Sequence, residues 1–383
     1  MDERNHHEGA SGDRLRVLVV DDSAYNRQTI ASMLAGDPAI EVVGRAVNGK
    51  EALQMAFDLR PDAITLDLEM PEMDGFAFLR LLMAKRPTPV IVISSHADRD
   101  HVFRALELGA IDFIAKPTRQ IGPELRRIED EVREKLRLVR RLEAVRLQER
   151  VRSLAQLEVE APTATVGAPQ PAAREPPPDG EAPLGVVAIA ASTGGPPAIQ
   201  QLLCALPATL PVAIVVAQHM PARFTRAFAG RLDKVSLFHV VEAQDGDLLR
   251  RGTVYIAPGA FNVEVEASGG GARLRVREPS PRAGVPALTP SGDLLFATGA
   301  AAFGKRFCAL VLTGMGTDGR EGAEAAHRAG ALVLAEDPRT AVMPGMPGAV
   351  IDAGVVDQVL VLEELPIAIA RFAEACRADV GRT

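Results

Sequence analysis

Residues 186–197 read Val-Val-Ala-Ile-Ala-Ala-Ser-Thr-Gly-Gly-Pro-Pro. The apolar run Val186–Ala190 is short and unbroken, the pattern of a strand buried on both faces of a sheet. The two glycines allow a tight turn, and a proline just inside the next helix is preorganised for that position. Strand, turn and helix start together make one α/β unit. Working outward, Pro211–Ala217, Phe307–Leu312 and Ala331–Ala335 repeat it. An exception lies between them. Phe261–Ala267 and Ala272–Glu278 flank Gly269-Gly270-Gly271 and alternate through Val263, Val265, Leu274 and Val276, which reads as a β-hairpin.

The N-terminal half follows the same pattern. Strands are expected at Arg16–Val20, Glu41–Ala46, Ala63–Leu66, Val90–Ile93 and Asp112–Ile114, with amphipathic helices such as Arg27–Ala35 and Lys50–Leu59 between them. Between the halves, Ala161–Pro183 holds seven prolines and almost no large apolar side chain, so it reads as a stiff, extended linker. Pro123–Glu160, dense in Arg and Glu, carries an apolar stripe through Leu125, Ile128, Val132, Leu136, Val139 and Leu142. It reads as a last domain helix continuing as a charged extension, with a coiled-coil stem as the alternative. The fold class is therefore α/β with two doubly wound parallel-sheet domains, the second carrying a hairpin. The expected boundaries are 14–122, a helix-and-linker region 123–183, and 184–376.

Composition narrows the function. The chain has 383 residues, 47% apolar and 24% charged, with a net charge of −7. That length suits two or three domains, and the acidic balance offers no basic face to hold nucleic acid. No apolar run reaches the roughly 18 residues of a membrane-spanning helix, and Met1–Arg14 is polar without the core of a signal peptide. The three cysteines, Cys204, Cys308 and Cys376, lie far apart in apolar sequence and read as buried thiols of a cytoplasmic protein. With no Trp and two Tyr, stacking platforms for bases are not expected.

Asp21 and Asp22 directly follow the first expected strand, and Asp67 follows the third. In a doubly wound sheet the carboxyl ends of the strands share one edge, so these acids should converge there. Three carboxylates repel unless a hard divalent cation holds them, and Mg²⁺ suits such oxygen ligands. Ser94 ends the fourth strand, and Lys116 before Pro117 ends the fifth at the same edge. A carboxylate beside Mg²⁺, an ammonium and a hydroxyl is equipped to accept a phosphoryl group. Arg14–Thr118, with Asp67-Leu-Glu-Met-Pro-Glu-Met-Asp-Gly75, resembles the receiver domain of two-component response regulators. The resemblance implies a flavodoxin-like fold, Asp67 as phospho-acceptor, and Asp21, Asp22, Asp67 and the Glu69 carbonyl around the metal. It also implies Ser94 and Phe113 as switch residues, Lys116 as the partner of the phosphate, and a histidine kinase as phosphodonor. A new phosphate adds about −1.5 to −2 charges at the sheet edge, which implies regulation but no output.

The output lies in the second half. Ser192 ends the strand Val186–Ala190, His219 in Gln218-His219-Met220-Pro221 follows Pro211–Ala217, and Asp318 lies just past Phe307–Leu312. Alone, Ser192 could be a helix cap, while the glycine spacing fits neither a dinucleotide fingerprint nor a Walker A loop. Together the three form a Ser/His/Asp set at strand carboxyl ends, where imidazole can take the serine proton and carboxylate can fix the imidazole. Their order is not that of the α/β-hydrolases, and the G-x-S-x-G elbow is absent.

Ser192-Thr-Gly-Gly-Pro196, Gln218-His-Met-Pro221 and Leu312-Thr-Gly-Met-Gly-Thr-Asp-Gly319 resemble the active-site motifs of the chemotaxis protein-glutamate methylesterases, the CheB family, over Leu184–Ala370. The resemblance implies a Rossmann-like catalytic domain with Ser192 as nucleophile, His219 as general base and Asp318 as its orienter. The backbone amides of Met315 and Thr193 would hold the oxyanion. The implied reaction is hydrolysis of glutamate methyl esters on methyl-accepting chemoreceptors, with deamidation of glutamines as a second activity. No cofactor is expected for that reaction, because backbone amides can hold the oxyanion. Domain order and linker lead to the expectation that the unphosphorylated receiver hinders access to Ser192. Asn262 stands where the family commonly has histidine and Gly292 where it has valine, and Leu334-Ala-Glu-Asp337 lacks a glutamine often found there; these bear on substrate docking and identity more than on the chemistry. The alternatives are a phospho-switched scaffold, which has no reason to keep the triad, and a DNA-binding regulator, for which neither a helix-turn-helix nor a basic surface is seen.

Overall fold

The computed structural model describes residues 14–94, 99–116, 123–139, 181–207, 209–269, 271–279 and 289–380. The chain divides into two compact units, Met1–Gln156 and Leu157–Thr383. Most of the proline-rich segment and residues 140–160, where a coiled-coil stem would lie, fall outside the described residues. None of the described helices is long and apolar enough to cross a membrane.

In the first unit the elements alternate as β1 (Leu15–Val20), α1 (Ala24–Ala35), β2 (Ile40–Ala46), α2 (Gly49–Leu59), β3 (Ala63–Leu66), α3 (Gly75–Lys85), β4 (Val90–Ser94), α4 (Arg99–Glu107), β5 (Asp112–Ala115) and α5 (Pro123–Val139). The five strands are parallel in the order β2-β1-β3-β4-β5. Side-chain caps decide where the helices start. Ser23 accepts from the Asn26 amide, so α1 begins three residues before the apolar periodicity does. Asn48 and Asp74 cap α2 and α3 in the same way. On α5, Val132 and Leu136 are buried, as the apolar stripe requires. Arg137 pairs with Asp37, and Arg133 donates to the Met33 carbonyl, so the described part of this helix packs on α1 as the last helix of its domain.

The second unit runs β6 (Gly185–Ala191), α6 (Gly195–Ala205), β7 (Val212–Gln218), α7 (Ala222–Val235), β8 (His239–Glu242), β9 (Thr253–Ile256), β10 (Asn262–Ser268), β11 (Gly271–Arg277), α8 (Gly292–Phe303), β12 (Phe307–Val311), α9 (Arg320–Arg328), β13 (Leu332–Glu336), α10 (Gly345–Asp352), β14 (Gln358–Leu360) and α11 (Leu365–Val380). Seven strands form a parallel sheet in the order β14-β13-β12-β6-β7-β9-β8. Every residue of β6, β7 and β12 is buried, which is why these strands read as continuous apolar runs. Each fully buried Val or Ile there contributes about 1.5–3 kcal/mol. The hairpin forms as expected, pairing Asn262 with Arg277 through to Ser268 with Gly271. Its inward Val263, Val265 and Leu274 share a core with Leu295 and Phe296 of α8, and the Val265 amide donates to Thr298 Oγ1.

One expectation is corrected. Cys308 and Cys376 are buried, but Cys204 is exposed. Leu202 and Leu203 take the sheet-facing side of α6, and the helical rotation carries the next residue outward.

Candidate active site and phospho-acceptor site

Strand register assembles the acidic cluster. Val20 pairs with Leu66, so Asp21 and Asp67 emerge side by side, and the Asp67 amide donates to the Val20 carbonyl at 2.9 Å. Ligand atoms of Asp21, Asp22 and Asp67 lie within 4.8 Å of one another. Lys116 Nζ donates to Asp67 Oδ2 at 2.5 Å and lies 3.2 Å from Asp21 Oδ2, while its amide is held by the Ser94 carbonyl at 2.7 Å. Burial pushes the Asp67 carboxyl above its ordinary value, with the Asp21 charge adding to the rise and the Lys116 ammonium opposing it. Asp21 Oδ1 accepts from the Ser23 amide at 2.9 Å, and its buried Oδ2 has the Lys116 ammonium as its ion-pair partner. Three acids sharing one ammonium keep free oxygen lone pairs at one point, the donor set a hard divalent cation takes. Glu69 follows on the exposed side, its amide 3.4 Å from Asp67 Oδ1. Ser94 and Phe113 are both buried, on neighbouring strands. Phe113 meets Phe103 edge to face, and its carbonyl accepts from Lys135 Nζ at 3.0 Å.

In the second unit, the three adjacent strands β12, β6 and β7 deliver the triad. The chain leaves β6 toward β7 and later returns on the other side as β12, so their carboxyl ends flank a topological switch point, where open α/β sheets bind ligands. Backbone bonds continue past the strands. The His219 amide donates to the Ala191 carbonyl at 2.9 Å, and the Ser192 amide to the Thr313 carbonyl at 3.0 Å.

His219 Nε2 lies 2.8 Å from Asp318 Oδ2. Asp318 also accepts from the Gly292 and Asp293 amides, at 2.7 and 3.1 Å, and from Ser291 Oγ at 3.2 Å. The carboxylate thus sits on the N-terminus of α8, where unpaired amides and the helix dipole favour negative charge. Burial would push the Asp318 carboxyl up, but the bond and charge of His219 and the two amides outweigh it and hold the group below its ordinary value. Neighbouring Asp293 goes the other way. Burial and the charges of Asp318 and Glu321 push it up to about 6, although its side chain accepts from the Gly322 amide.

The Ser192 and Met315 turns are cross-linked. Thr193 Oγ1 donates to Met315 Sδ at 3.3 Å, and Thr313 Oγ1 donates to the Thr193 carbonyl at 2.9 Å. The Thr313 amide in turn donates to Glu336 Oε2 at 2.8 Å, and Glu336 Oε1 accepts from Thr340. Asn262 Oδ1 likewise accepts from the Ser291 amide at 2.9 Å, fixing one member of the Asp318 cradle. Gly292 has a steric reason, since a Cβ there would lie 2.6 Å from the Ala190 Cβ.

Ser192 and His219 therefore fall on adjoining strand ends, Asp318 reaches His219 from the loop after β12, and Thr193 links the Ser192 turn to Met315. Asp21, Asp22, Asp67 and Lys116 meet at the other sheet's edge. The sequence reading missed Ser291 and Asp293 as the cradle of Asp318, and also Gln218 and Thr313. The one usable signal for the cradle was Ser291 just before an apolar helical run, the signature of a helix N-cap.

Residues 187–369 match the family described as CheB methylesterase, and residues 17–123 match the response regulator receiver domain. The chain is 46% identical over 366 residues to the protein-glutamate methylesterase/protein-glutamine glutaminase 3 of Geobacter sulfurreducens, covering 92% of this chain and 95% of that one. It is 45% identical over 363 residues to the corresponding protein 1 of Myxococcus xanthus, covering 95% and 98%. The crystal structure of the Thermotoga maritima CheB methylesterase catalytic domain is 37% identical and aligns with a TM-score of 0.47, over 49% of this chain and 97% of that one.

Proposed function

This chain belongs to the protein-glutamate methylesterase/protein-glutamine glutaminase family, and from that premise we propose that it hydrolyses glutamate methyl esters, and deamidates glutamines, on chemoreceptors under the control of phosphorylation at Asp67. The observation that carries the catalytic part is the 2.8 Å bond between His219 Nε2 and Asp318 Oδ2, at the carboxyl edge of the strands adjoining that of Ser192. With Nε2–H given to the carboxylate, Nδ1 is the nitrogen left to take a proton. This is the reverse of the serine-protease template, in which the carboxylate holds Nδ1.

Ser192 Oγ bonds to the ester carbonyl carbon while its proton passes to His219 Nδ1, and Asp318 supports the imidazolium. The amides of Thr193 and Met315 meet the charge that develops on the carbonyl oxygen. The C–O bond to the methoxy group then breaks, and methanol leaves with the proton from His219. Water, deprotonated by the same nitrogen, attacks the acyl-serine, leaving a glutamate carboxylate and a free Ser192. With a glutamine side chain, ammonia leaves in place of methanol.

In the receiver, the carboxylates of Asp21, Asp22 and Asp67 and the Glu69 carbonyl would hold Mg²⁺. Bound there, the ion supplies charge neutralisation for phosphoryl transfer. Asp67 takes the phosphoryl group from a histidine kinase, Lys116 pairs with it, and Ser94 and Phe113 respond to the new charge. The reading places the protein in the cytoplasm with the receptors' methylated helices.

The test is methanol release from membranes carrying methylated cognate receptor. Wild type should release it, and S192A should fall to background, a loss on the order of 10⁶ by comparison with serine proteases. No release from wild type would overturn the reading.

A further inference from the structure

Gln218, the last residue of β7, is 1% exposed and precedes the base directly. Its Nε2 donates to the Ser192 carbonyl at 2.9 Å and to the His219 carbonyl at 3.0 Å. An amide nitrogen has two hydrogens, and both are used on the main chain of the nucleophile and of the base. The orientation is dictated, because the flipped amide would set Oε1 against two carbonyl oxygens. Oε1 is meanwhile buried with no hydrogen-bond partner, a desolvation cost carried at a site where the nitrogen is fully engaged. Gly195 fits the same arrangement. A Cβ there would lie 2.0 Å from Gln218 Oε1, so the second glycine of the turn leaves the space that the carboxamide fills. The Gly195 amide donates to the Ser192 carbonyl at 2.8 Å, completing that oxygen's two bonds.

We propose that Gln218 is a positioning residue whose carboxamide clamps the carbonyls of Ser192 and His219 and thereby fixes the separation of nucleophile and base. It acts through those two residues and touches no reacting atom. Other side chains of similar size fail for stated reasons. Methionine leaves both carbonyls one donor short. A glutamate carboxylate turns two attractions into two repulsions, and regains one donor only when protonated. The proposal rests on the reading of Ser192 as nucleophile, but not on the identity of the ester.

The test uses the full chain as wild type, Q218M and Q218E, with folding checked by thermal unfolding. The primary readout is the rate at which a fluorophosphonate labels Ser192, and the second is methanol release. Misplacing reacting groups by about 1 Å costs up to roughly 100-fold, so both variants should label about 10- to 100-fold more slowly at pH 8. The loss should appear in kcat with little change in KM. The ratio of Q218E to wild type should rise as pH falls and the introduced carboxyl takes up a proton, while that of Q218M stays flat. A folded variant that labels at the wild-type rate would overturn the clamp, as would a deficit in Q218E that does not change with pH. If Q218M does not fold, the isosteric Q218E decides through its pH ratio. Wild type that labels but releases no methanol would sink the esterase reading and leave the clamp testable.

Discussion

Both units of this chain carry acids at the carboxyl edge of a parallel sheet, yet they treat them in opposite ways. Asp318 is given four hydrogen bonds and sits over a helix N-terminus, and its carboxyl is held below the ordinary value. Asp21, Asp22 and Asp67 crowd together with Lys116 shared between Asp21 and Asp67, and the Asp67 carboxyl is pushed up. A carboxylate with its own full set of donors has little further to gain from a ligand. Three crowded acids with one ammonium gain from a cation or a phosphoryl group, which is what a switch requires. The same topology thus yields a constant site and a responsive one, and the difference lies in how many donors the surrounding loops supply.

The sharpest way to break this contrast is at the satisfied acid. D318N keeps the shape but reverses the hydrogen bonding offered to His219 Nε2, so esterase turnover should fall on the order of 10⁴-fold, as for the equivalent change in a serine protease. Turnover within tenfold of wild type would show that Asp318 is not the orienter.

At the crowded cluster, Mg²⁺ should raise the receiver's unfolding midpoint, by about 2.7 kcal/mol in stability at a hundredfold excess over Kd, and D21N should blunt the rise. The pH dependences contributed by Asp67 and by Asp318 should oppose each other. Folded Asp67, with its raised pKa, keeps a proton that the unfolded chain has lost, so its contribution falls as pH rises from the ordinary carboxylate value through the raised one. Folded Asp318, with its depressed pKa, contributes stability above the ordinary value and loses it as pH falls through the depressed one. Unfolding curves across acid pH check this, with D67N and D318N each removing its own slope. Changes of the same sign from D67N and D318N would defeat the comparison.

A smaller effect tests the cradle. G292V should destabilise the catalytic domain by about 1–3 kcal/mol through overpacking. Because the nearest atom is the Ala190 Cβ, adding A190G should recover part of the loss, the rest going to the glycine placed in a buried strand. Failure of that rescue in thermal unfolding would place the strain elsewhere.

Much of this was legible in the residues. The central strands announce themselves as apolar runs, and Ser192 and His219 follow two of them directly, while Asp318 lies in the loop after a third. Strands β8, β9 and β14 went unread; β8 is mostly half-buried with polar ends, and β14 is an exposed edge without an apolar run. The cradle of Asp318 was less readable for a different reason. Gly292 and Asp293 hold the carboxylate with main-chain amides, which any residue owns. Gln218 lay in plain view inside a recognised motif, but its role depends on where two carbonyls point, and only the folded chain sets that.

The central claim is that the crowded acidic cluster controls what the Ser192 site does. The most direct test measures methanol release from methylated receptor membranes with and without a small-molecule phosphodonor and Mg²⁺, in wild type and D67N. The account predicts a rise in wild type that needs both phosphodonor and Mg²⁺, and no response to either in D67N. An equal rise in D67N, or a wild-type rate indifferent to phosphodonor, would contradict it.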